Sequence, residues 1–312
     1  MNRSTYLIFY MGLFFIFGTG IPLYGQVLET KNWCLSRCDL AGDEKENSAL
    51  IYLQLQNDSI QRLTSSAKMF VFPLRIGILQ NTRDSIELDE MTVRQAINEL
   101  NASFKEVGFV FYIDRVDVIL TQMTIEQFSE DLYRPYNAFS EQYDLENEIS
   151  VYIVPHKDEF CTVEGDLVSC RRKGGFSYVL SRQTNNVVMS RFDLSDRKVV
   201  AHEFGHFFGL YHTFEEQQFG KDDFDPRHCS EYGDRICDTP PDPGTIFEVY
   251  VNYSNCEMLG RKNSYGKEYK PLIQNYMSYY KPCYMRPYSF TPGQIKVMRT
   301  AALSVLRQKF TR

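Results

Sequence analysis

Three of the five histidines of this 312-residue chain fall within eleven positions, at His202, His206 and His212. His202 and His206 are four residues apart, so a helix presents both imidazoles on one face, where they can bind one metal ion. Glu203 follows the first histidine, and its carboxylate can take a proton from a water molecule at that ion. Gly209 can end the helix in a left-handed conformation, which allows His212 to return as a third ligand. Three protein ligands leave one coordination position open, which is typical of a catalytic zinc site rather than a structural one.

The pattern His-Glu-x-x-His taken alone also fits two surface histidines on a solvated helix. The glycine at position 209 and the third histidine at position 212 disfavour that interpretation, because all five positions meet the requirements of a metal site. The helix has a start signal as well, since Ser195 and Asp196 can each cap its first turn. We therefore predict that the three histidines hold Zn²⁺.

The first 25 residues have the layout of a secretory signal peptide. The segment Asn2-Arg3 forms a short, positively charged n-region before an apolar run over residues 6–17. Gly25 is the expected last residue before cleavage. The alternative, a transmembrane anchor, needs roughly 20 apolar residues, and this run is shorter. We expect a secreted or periplasmic mature protein that has no membrane anchor and can form disulfides. The net charge of −6 argues against a nucleic-acid partner, because phosphate binding requires a basic surface.

The remaining chain changes in composition at residue 69. Residues 26–68 are polar and mixed, and they form a candidate pro-segment. Five later segments have the apolar pattern of strands: 70–79, 109–113, 149–155, 174–180 and 186–190. A helix pattern at 92–107 lies among them, which predicts an α/β N-terminal half. The chain after residue 212 is rich in Asp, Pro, Gly, Tyr and Cys, so we expect a loop-rich part held by disulfides and closed by a helix that Thr291-Pro292 opens.

Six of the eight cysteines lie in the predicted folded part of the chain. Cys161 and Cys170 enclose a short loop, which favours a local bridge in a hairpin. The other four allow two bridges with three possible connectivities, and the sequence leaves them open. These four are Cys229, Cys237, Cys256 and Cys283. A second zinc site is the alternative, and their wide, irregular spacing disfavours it.

The extended histidine motif resembles the signature of the metzincin metalloproteases. The segment Asn275-Tyr-Met277-Ser-Tyr279 lies 65 residues after His212 and is similar to the methionine turn of the pappalysin family. The segments His212-Thr-Phe214, 233–240 and 290–294 are also similar to that family. The resemblance covers roughly residues 70–305.

The resemblance implies a metzincin fold, in which a twisted mixed sheet and an active-site helix lie above a loop-rich, disulfide-stapled C-terminal subdomain. It places the catalytic domain at 69–312, with subdomains 69–209 and 210–312. Met277 would form a hydrophobic floor under the metal, although plain core packing explains most methionines. Tyr279 would stabilise the oxyanion of the intermediate, a role that suits a phenol beside Zn²⁺.

The resemblance also implies Ca²⁺ at Asp234, Asp238 and Thr239, with Asp242 nearby, since hard oxygen ligands suit this ion. A solvated acidic loop is the alternative. Family members that cleave before arginine place an acidic residue after the methionine turn, next to a cysteine. This chain has Tyr-Lys-Pro-Cys at 280–283, so arginine specificity is not carried over.

Cys34 and Cys38 lie in the candidate pro-segment, and family members can be made as zymogens. A thiolate from either residue could occupy the open zinc position as a cysteine switch. The alternative is a bridge between Cys34 and Cys38, which their spacing allows.

Together these features predict a secreted zinc endopeptidase that acts on protein or peptide substrates, with Glu203 as general base and Tyr279 holding the oxyanion. An extended substrate would add to a sheet edge formed by 175–180 or by Val187–Ser190. One alternative is a catalytically silent relative that binds peptide or matrix. Another is a zinc hydrolase that acts on a non-peptide bond.

Overall fold

The computed structural model describes residues 69–80, 88–120, 138–145, 147–154, 159–164, 167–172, 175–177, 179–180, 185–215, 229–230, 233–244, 250–262, 266–283, 286–304 and 306. The strands are β1 (Phe70–Gln80), β2 (Phe109–Leu120), β3 (Ile149–Val154), β4 (Glu159–Glu164), β5 (Leu167–Arg172), β6 (Gly175–Ser177), β7 (Asn186–Ser190), β8 (Val251–Asn252) and β9 (Glu257–Met258). The α-helices are α1 (Glu90–Ser103), α2 (Ala138–Tyr143), α3 (Arg197–Phe207) and α4 (Pro292–Leu303).

The main sheet is mixed and has the strand order β2-β1-β3-β7-β6. The first four strands are parallel, and the short β6 pairs antiparallel with β7 at the edge. This order decides between the two predicted substrate edges. The prediction that Val187–Ser190 could form the edge is wrong, because β7 has hydrogen-bonded neighbours on both sides and its five residues are buried.

The central strand β3 is buried on both faces, as its nearly continuous apolar sequence predicts. Ile149, Val151 and Ile153 belong to the larger core cluster, which also contains apolar residues of α1 and α3. Tyr152 belongs to a second cluster, where its ring packs edge-on against Phe139 of α2 at a centroid distance of 5.0 Å. Helices α1 and α3 therefore cover one face of the sheet, and α2 lies on the other.

Two predicted helices are present with different ends. Helix α1 begins earlier than the predicted residue 92, because Asp89 accepts a hydrogen bond from the Met91 amide and caps the helix. It ends at Ser103 rather than 107. Helix α4 begins at Pro292, where Thr291 and Gln294 form a reciprocal capping box, and it ends at Leu303 rather than near residue 309.

A β-hairpin between β3 and β6 is missing from the sequence-based prediction. Strands β4 and β5 carry charged residues within their six-residue lengths, and these interrupt the apolar pattern. The strand register pairs Cys161 with Cys170, and the local bridge between them stays a prediction.

The C-terminal part is rich in loops and contains two disulfides. Cys229 is bonded to Cys237, and Cys256 is bonded to Cys283, which selects one of the three connectivities. The second bridge lies in a small apolar cluster that also contains Ile273. A mixed α/β half followed by a disulfide-bonded, loop-rich half confirms the predicted fold class.

None of the described helices is long and apolar enough to cross a membrane. The predicted signal peptide (1–25), the candidate pro-segment (26–68), and Cys34 and Cys38 within it lie outside the described residues. These stay predictions, and so does the boundary between subdomains at residues 209 and 210.

Candidate active site

The helix that carries the zinc motif begins at a well-defined cap. Asp196 is the N-cap of α3, and its carboxylate accepts hydrogen bonds from the amides of Lys198 at 2.9 Å and Val199 at 3.4 Å. Ser195 lies one residue earlier, in a short 3₁₀ turn. The cap fixes the residue at which the helix begins, and therefore which side chains share a face. As a result, His202 and His206, which lie four residues apart on the helix, both face the core rather than solvent.

The chain leaves the helix at Gly209, which has a φ of 96°. Its amide donates to the His206 carbonyl at 2.8 Å, and the Leu210 amide donates to the Gly205 carbonyl at 2.9 Å. A side chain is strained at such a positive φ, so glycine suits this turn. The turn directs the next residues back under the helix and brings His212 to the other two histidines.

The three histidines converge through the same ring nitrogen. His206 Nε2 lies 3.0 Å from His202 Nε2 and 3.1 Å from His212 Nε2. All three residues are buried. The helix supplies two of these nitrogens and the segment after Gly209 supplies the third.

An acceptor stands beside the other nitrogen of each ring. His202 Nδ1 lies 2.8 Å from the Tyr276 carbonyl, and His206 Nδ1 lies 2.7 Å from the Leu210 carbonyl. His212 Nδ1 lies 3.3 Å from a carboxylate oxygen of Glu215, which is itself almost buried. The two carbonyls place the proton of His202 and of His206 on Nδ1, and the nearby Glu215 carboxylate favours the same tautomer for His212. Each Nε2 then presents a lone pair to the shared centre.

Burial keeps the three rings neutral. It lowers the pKa of His206 and of His212 to about 3, and together with the two neighbouring rings it lowers the pKa of His202 well below its usual value. A neutral imidazole is the form that binds a metal ion.

The donor set fits Zn²⁺. A tetrahedral site with Zn–N distances of about 2.0–2.1 Å separates its nitrogens by about 3.3–3.4 Å, close to the spacing of the three Nε2 atoms. Three lone pairs at such short range repel one another, and a cation between them removes the repulsion. In the described part of the chain, these histidines are the one group of three or more His, Cys, Asp or Glu residues whose ligand atoms lie within 4.8 Å of one another.

Glu203 is buried beside the edge strand of the sheet, with 1% of its surface exposed. A Cβ atom added to Gly175, the first residue of β6, would lie 3.1 Å from Glu203 Cγ and 2.8 Å from the Val188 carbonyl oxygen. The absence of a side chain at Gly175 thus makes room for the glutamate next to the strand edge. Gly175 is absent from the predicted site residues, because its role depends on the pairing of β6 with β7.

Tyr279 reaches the histidines from the C-terminal part of the chain. Its hydroxyl lies 2.9 Å from His212 Nε2, and its ring stands edge-on to the His212 ring at a centroid distance of 4.9 Å. Phe214 packs against the tyrosine ring at a centroid distance of 4.6 Å and also stacks on the His212 ring at 4.8 Å. Tyr279 is half-buried.

Met277 lies beneath the helix and is completely buried. A Cβ atom added to Gly205 would overlap Met277 Sδ and would lie 3.2 Å from Met277 Cε. The Thr213 amide donates to the Met277 carbonyl at 3.2 Å, which ties this turn to the segment of the third histidine. Gly205 is a second residue that the sequence analysis missed, although its place between Glu203 and His206 is a signal.

The methionine turn is anchored to helix α4 by a pair of buried amides. Asn275 Nδ2 donates to Gln294 Oε1 at 2.8 Å, and Gln294 Nε2 donates to Asn275 Oδ1 at 3.0 Å. Asn275 Oδ1 also accepts from the Met277 amide at 2.9 Å. The capping box of α4 thereby holds the turn that supports the histidines.

The aspartates of the predicted calcium loop accept hydrogen bonds from protein groups. Asp234 Oδ1 accepts from the Thr239 hydroxyl at 2.6 Å and from the Ile236 amide at 3.0 Å. Asp238 accepts from the Thr291 hydroxyl and the Gly293 amide, both at 2.7 Å, and so caps helix α4. Calcium binding by Asp234, Asp238 and Thr239 stays a prediction.

Comparisons with known proteins agree with this geometry. The family profile described as pregnancy-associated plasma protein-A matches residues 136–303, more than half of the chain. An extracellular metalloprotease of Arthroderma gypseum is 29% identical over 219 residues, which are 68% of this chain and 66% of that protein. An extracellular metalloprotease of Pyricularia oryzae is 37% identical over 107 residues, which are 34% of this chain and 29% of that protein. The alignments thus span about two thirds or less of these relatives.

Among solved structures, metalloproteinase-II from Bacteroides fragilis is similar over 48% of this chain and 46% of its own. The identity is 14% and the TM-score is 0.26, a level that supports no inference. The family profile spans the motif helix, the third histidine and the methionine turn, so it covers every element of the site described above. The chain belongs to the pregnancy-associated plasma protein-A (pappalysin) family of metallopeptidases.

Proposed function

We propose that the protein is an exported, zinc-dependent endopeptidase that hydrolyses bonds within protein or peptide substrates. The observation that carries the proposal is that His206 Nε2 lies within 3.1 Å of both His202 Nε2 and His212 Nε2, in a group that also has a buried glutamate and a tyrosine hydroxyl. His202, His206 and His212 would hold the ion. Bound Zn²⁺ supplies a Lewis acid that polarises a carbonyl and lowers the pKa of water.

Glu203 is the proposed general base. It follows the first ligand on α3, and its burial excludes solvent that would compete for a proton. The carboxylate takes a proton from the attacking water and passes it to the amine that leaves when the C–N bond breaks. Tyr279 donates its hydroxyl hydrogen to the oxyanion that develops on the scissile carbonyl.

We propose that the substrate binds in an extended conformation along β6. Among the described strands, β6 is the last one on its side of the sheet, and it begins at Gly175, beside Glu203. Backbone hydrogen bonds to an edge strand hold an extended peptide in register and require no particular side chain. A substrate bound along β6 would therefore carry its scissile bond close to Glu203.

A digest of casein and of a mixed peptide library tests the proposal. We expect cleavage that a zinc chelator abolishes and that added Zn²⁺ restores. Binding of peptides without cleavage would favour the catalytically silent relative. Cleavage of an ester substrate with no cleavage of any peptide would favour the zinc hydrolase that acts on a non-peptide bond.

We further propose that residues 1–25 direct export and that 26–68 form a pro-segment. Expression of the full chain should yield a mature form that lacks both segments. Precursors with Cys34→Ala or Cys38→Ala test the cysteine switch. Early activity in one of them supports it, and unchanged latency in both contradicts it.

Calcium binding is tested by the midpoint of thermal unfolding with and without added Ca²⁺. Asp234 and Thr239 already share one hydrogen bond, so a calcium ion would have to use the remaining oxygens of this loop. A rise of the midpoint with Ca²⁺ that Asp234→Asn abolishes supports the site. An unchanged midpoint contradicts it.

A further inference from the structure

One buried carboxylate joins the two segments that carry His212 and Tyr279. Asp242 is 1% exposed and lies in the loop formed by residues 233–244. Its Oδ2 accepts a hydrogen bond from the Thr213 hydroxyl at 2.6 Å, and its Oδ1 accepts one from the Tyr280 hydroxyl at 2.7 Å. Thr213 directly follows His212 in the chain, and Tyr280 directly follows Tyr279.

We propose that Asp242 is a positioning residue that fixes the tyrosine hydroxyl relative to the third zinc ligand. The inference rests on the proposed peptidase function and assigns no contact with substrate to Asp242. The distance between Tyr279 OH and His212 Nε2 is 2.9 Å, and the two residues come from segments 67 positions apart. A carboxylate that holds the next residue of each segment keeps this distance constant.

The carboxylate form suits this position because all its close partners are donors. Besides the two hydroxyls, the Gly244 amide donates to Asp242 Oδ1 at 2.9 Å and fixes the aspartate to its own turn. An asparagine presents an NH₂ group in place of one acceptor oxygen. The Thr213 hydroxyl or the Tyr280 hydroxyl would then lose a carboxylate acceptor in a buried environment. The Tyr280 hydroxyl also lies 3.1 Å from the Gly244 carbonyl oxygen and would keep that second acceptor.

The backbone next to Tyr279 is held from a second direction. The Tyr280 carbonyl accepts from Lys198 Nζ at 2.6 Å and from the Tyr288 hydroxyl at 3.0 Å. Lys198 is in the first turn of α3, the helix that carries the first two ligands. Tyr280 is therefore held at both its carbonyl and its hydroxyl. These contacts restrict the backbone from which the Tyr279 side chain projects.

The sheet offers a matched control of the same chemistry. The Tyr152 hydroxyl donates to Asp144 Oδ1 at 2.7 Å, the same distance as in the pair of Tyr280 and Asp242. Asp144 also accepts from the Asn185 amide at 2.8 Å. Neither member of this pair neighbours a histidine of the site, so Asp144→Asn and Tyr152→Phe remove comparable hydrogen bonds without the proposed positioning effect.

The test compares kcat, KM and zinc affinity among these variants of the mature protein. Zinc affinity is measured by competition with a chromogenic chelator, so one measurement does not depend on peptide cleavage. We expect Tyr280→Phe to lower kcat about 10-fold with little change in KM, and Thr213→Val to weaken zinc binding about 10-fold. Asp242→Asn should do both. In a Tyr279→Phe background, Tyr280→Phe should have no further effect on kcat.

The proposal is overturned if Asp242→Asn, Thr213→Val and Tyr280→Phe only lower the unfolding midpoint, as the control variants do, with unchanged kcat and zinc affinity. If Asp242→Asn does not fold, the two single hydroxyl variants decide the question. A wild-type protein that binds zinc and cleaves no peptide would refute the proposed function. In that case the zinc affinities of Asp242→Asn and Thr213→Val would still support or overturn the positioning role.

Discussion

Replacing Gly205 by alanine places a methyl group where Met277 Sδ now lies. The sulfur cannot move aside freely, because Met277 is completely buried and Leu210 Cδ1 stands 3.6 Å from the added atom. Overpacking of a filled core costs about 1–3 kcal/mol. Alanine is better than glycine within a helix by about 1 kcal/mol, which offsets part of that cost.

We therefore expect Gly205→Ala to destabilise the protein by up to about 2 kcal/mol, which lowers the unfolding midpoint by up to roughly 8 °C in a domain of this size. Differential scanning calorimetry of the zinc-free protein measures this without a contribution from bound metal. A double-mutant cycle with Met277→Ala isolates the contact. Once the sulfur is removed, Gly205→Ala should become stabilising by about 1 kcal/mol.

A rise of the midpoint for Gly205→Ala in the wild-type background would refute this reasoning. It would mean that helix propensity outweighs the contact with Met277, and that the glycine is not required by the methionine turn. An equal loss in both backgrounds would also contradict the account, since it would assign the cost to a different neighbour.

Three further substitutions test other parts of the site. Glu215→Gln removes the charge beside His212 Nδ1, and we expect zinc affinity, measured by chelator competition, to fall about 10-fold or more; an unchanged affinity would show that the 3.3 Å contact does not tune the ligand. Gly175→Ala places a Cβ 2.8 Å from the Val188 carbonyl oxygen, so kcat should fall while zinc content stays constant; full activity would mean that β6 can shift without disturbing Glu203. Asn275→Ala leaves the buried NH₂ group of Gln294 without its acceptor and should cost about 1–3 kcal/mol in urea unfolding; a cost near zero would show that the amide pair does not anchor the methionine turn.

The zinc motif could be predicted from the sequence because its geometry is local. His202 and His206 meet through the helical repeat, and the need for a left-handed residue at Gly209 follows from the third ligand. The burial of β3 on both faces was also predictable. Its apolar run lacks the alternation of polar and apolar residues that a half-exposed strand shows. In each case neighbouring residues carry the whole signal.

The remaining features depend on residues far apart in the chain. Asp242 was noted as one acid in a loop of aspartates, and only the tertiary structure brings it to Thr213 and Tyr280. The choice of β6 as the sheet edge required the strand order, and the cysteine pairing required the path of the loops. Gly205 lies between Glu203 and His206 in the motif, but neither it nor Gly175 has a side chain that indicates its neighbour. The close approach of Met277 and of Glu203 to these glycines is visible only in the tertiary structure.

The most direct test of the account measures zinc content and peptide cleavage together in Glu203→Ala. Its control is His206→Ala, which removes the Nε2 atom that lies within 3.1 Å of the other two histidine Nε2 atoms. The account predicts that Glu203→Ala keeps one zinc ion per chain and loses peptide hydrolysis, whereas His206→Ala loses both. Retained hydrolysis in zinc-loaded Glu203→Ala would contradict the assignment of Glu203 as general base. Undiminished zinc content in His206→Ala would contradict the three-histidine site itself.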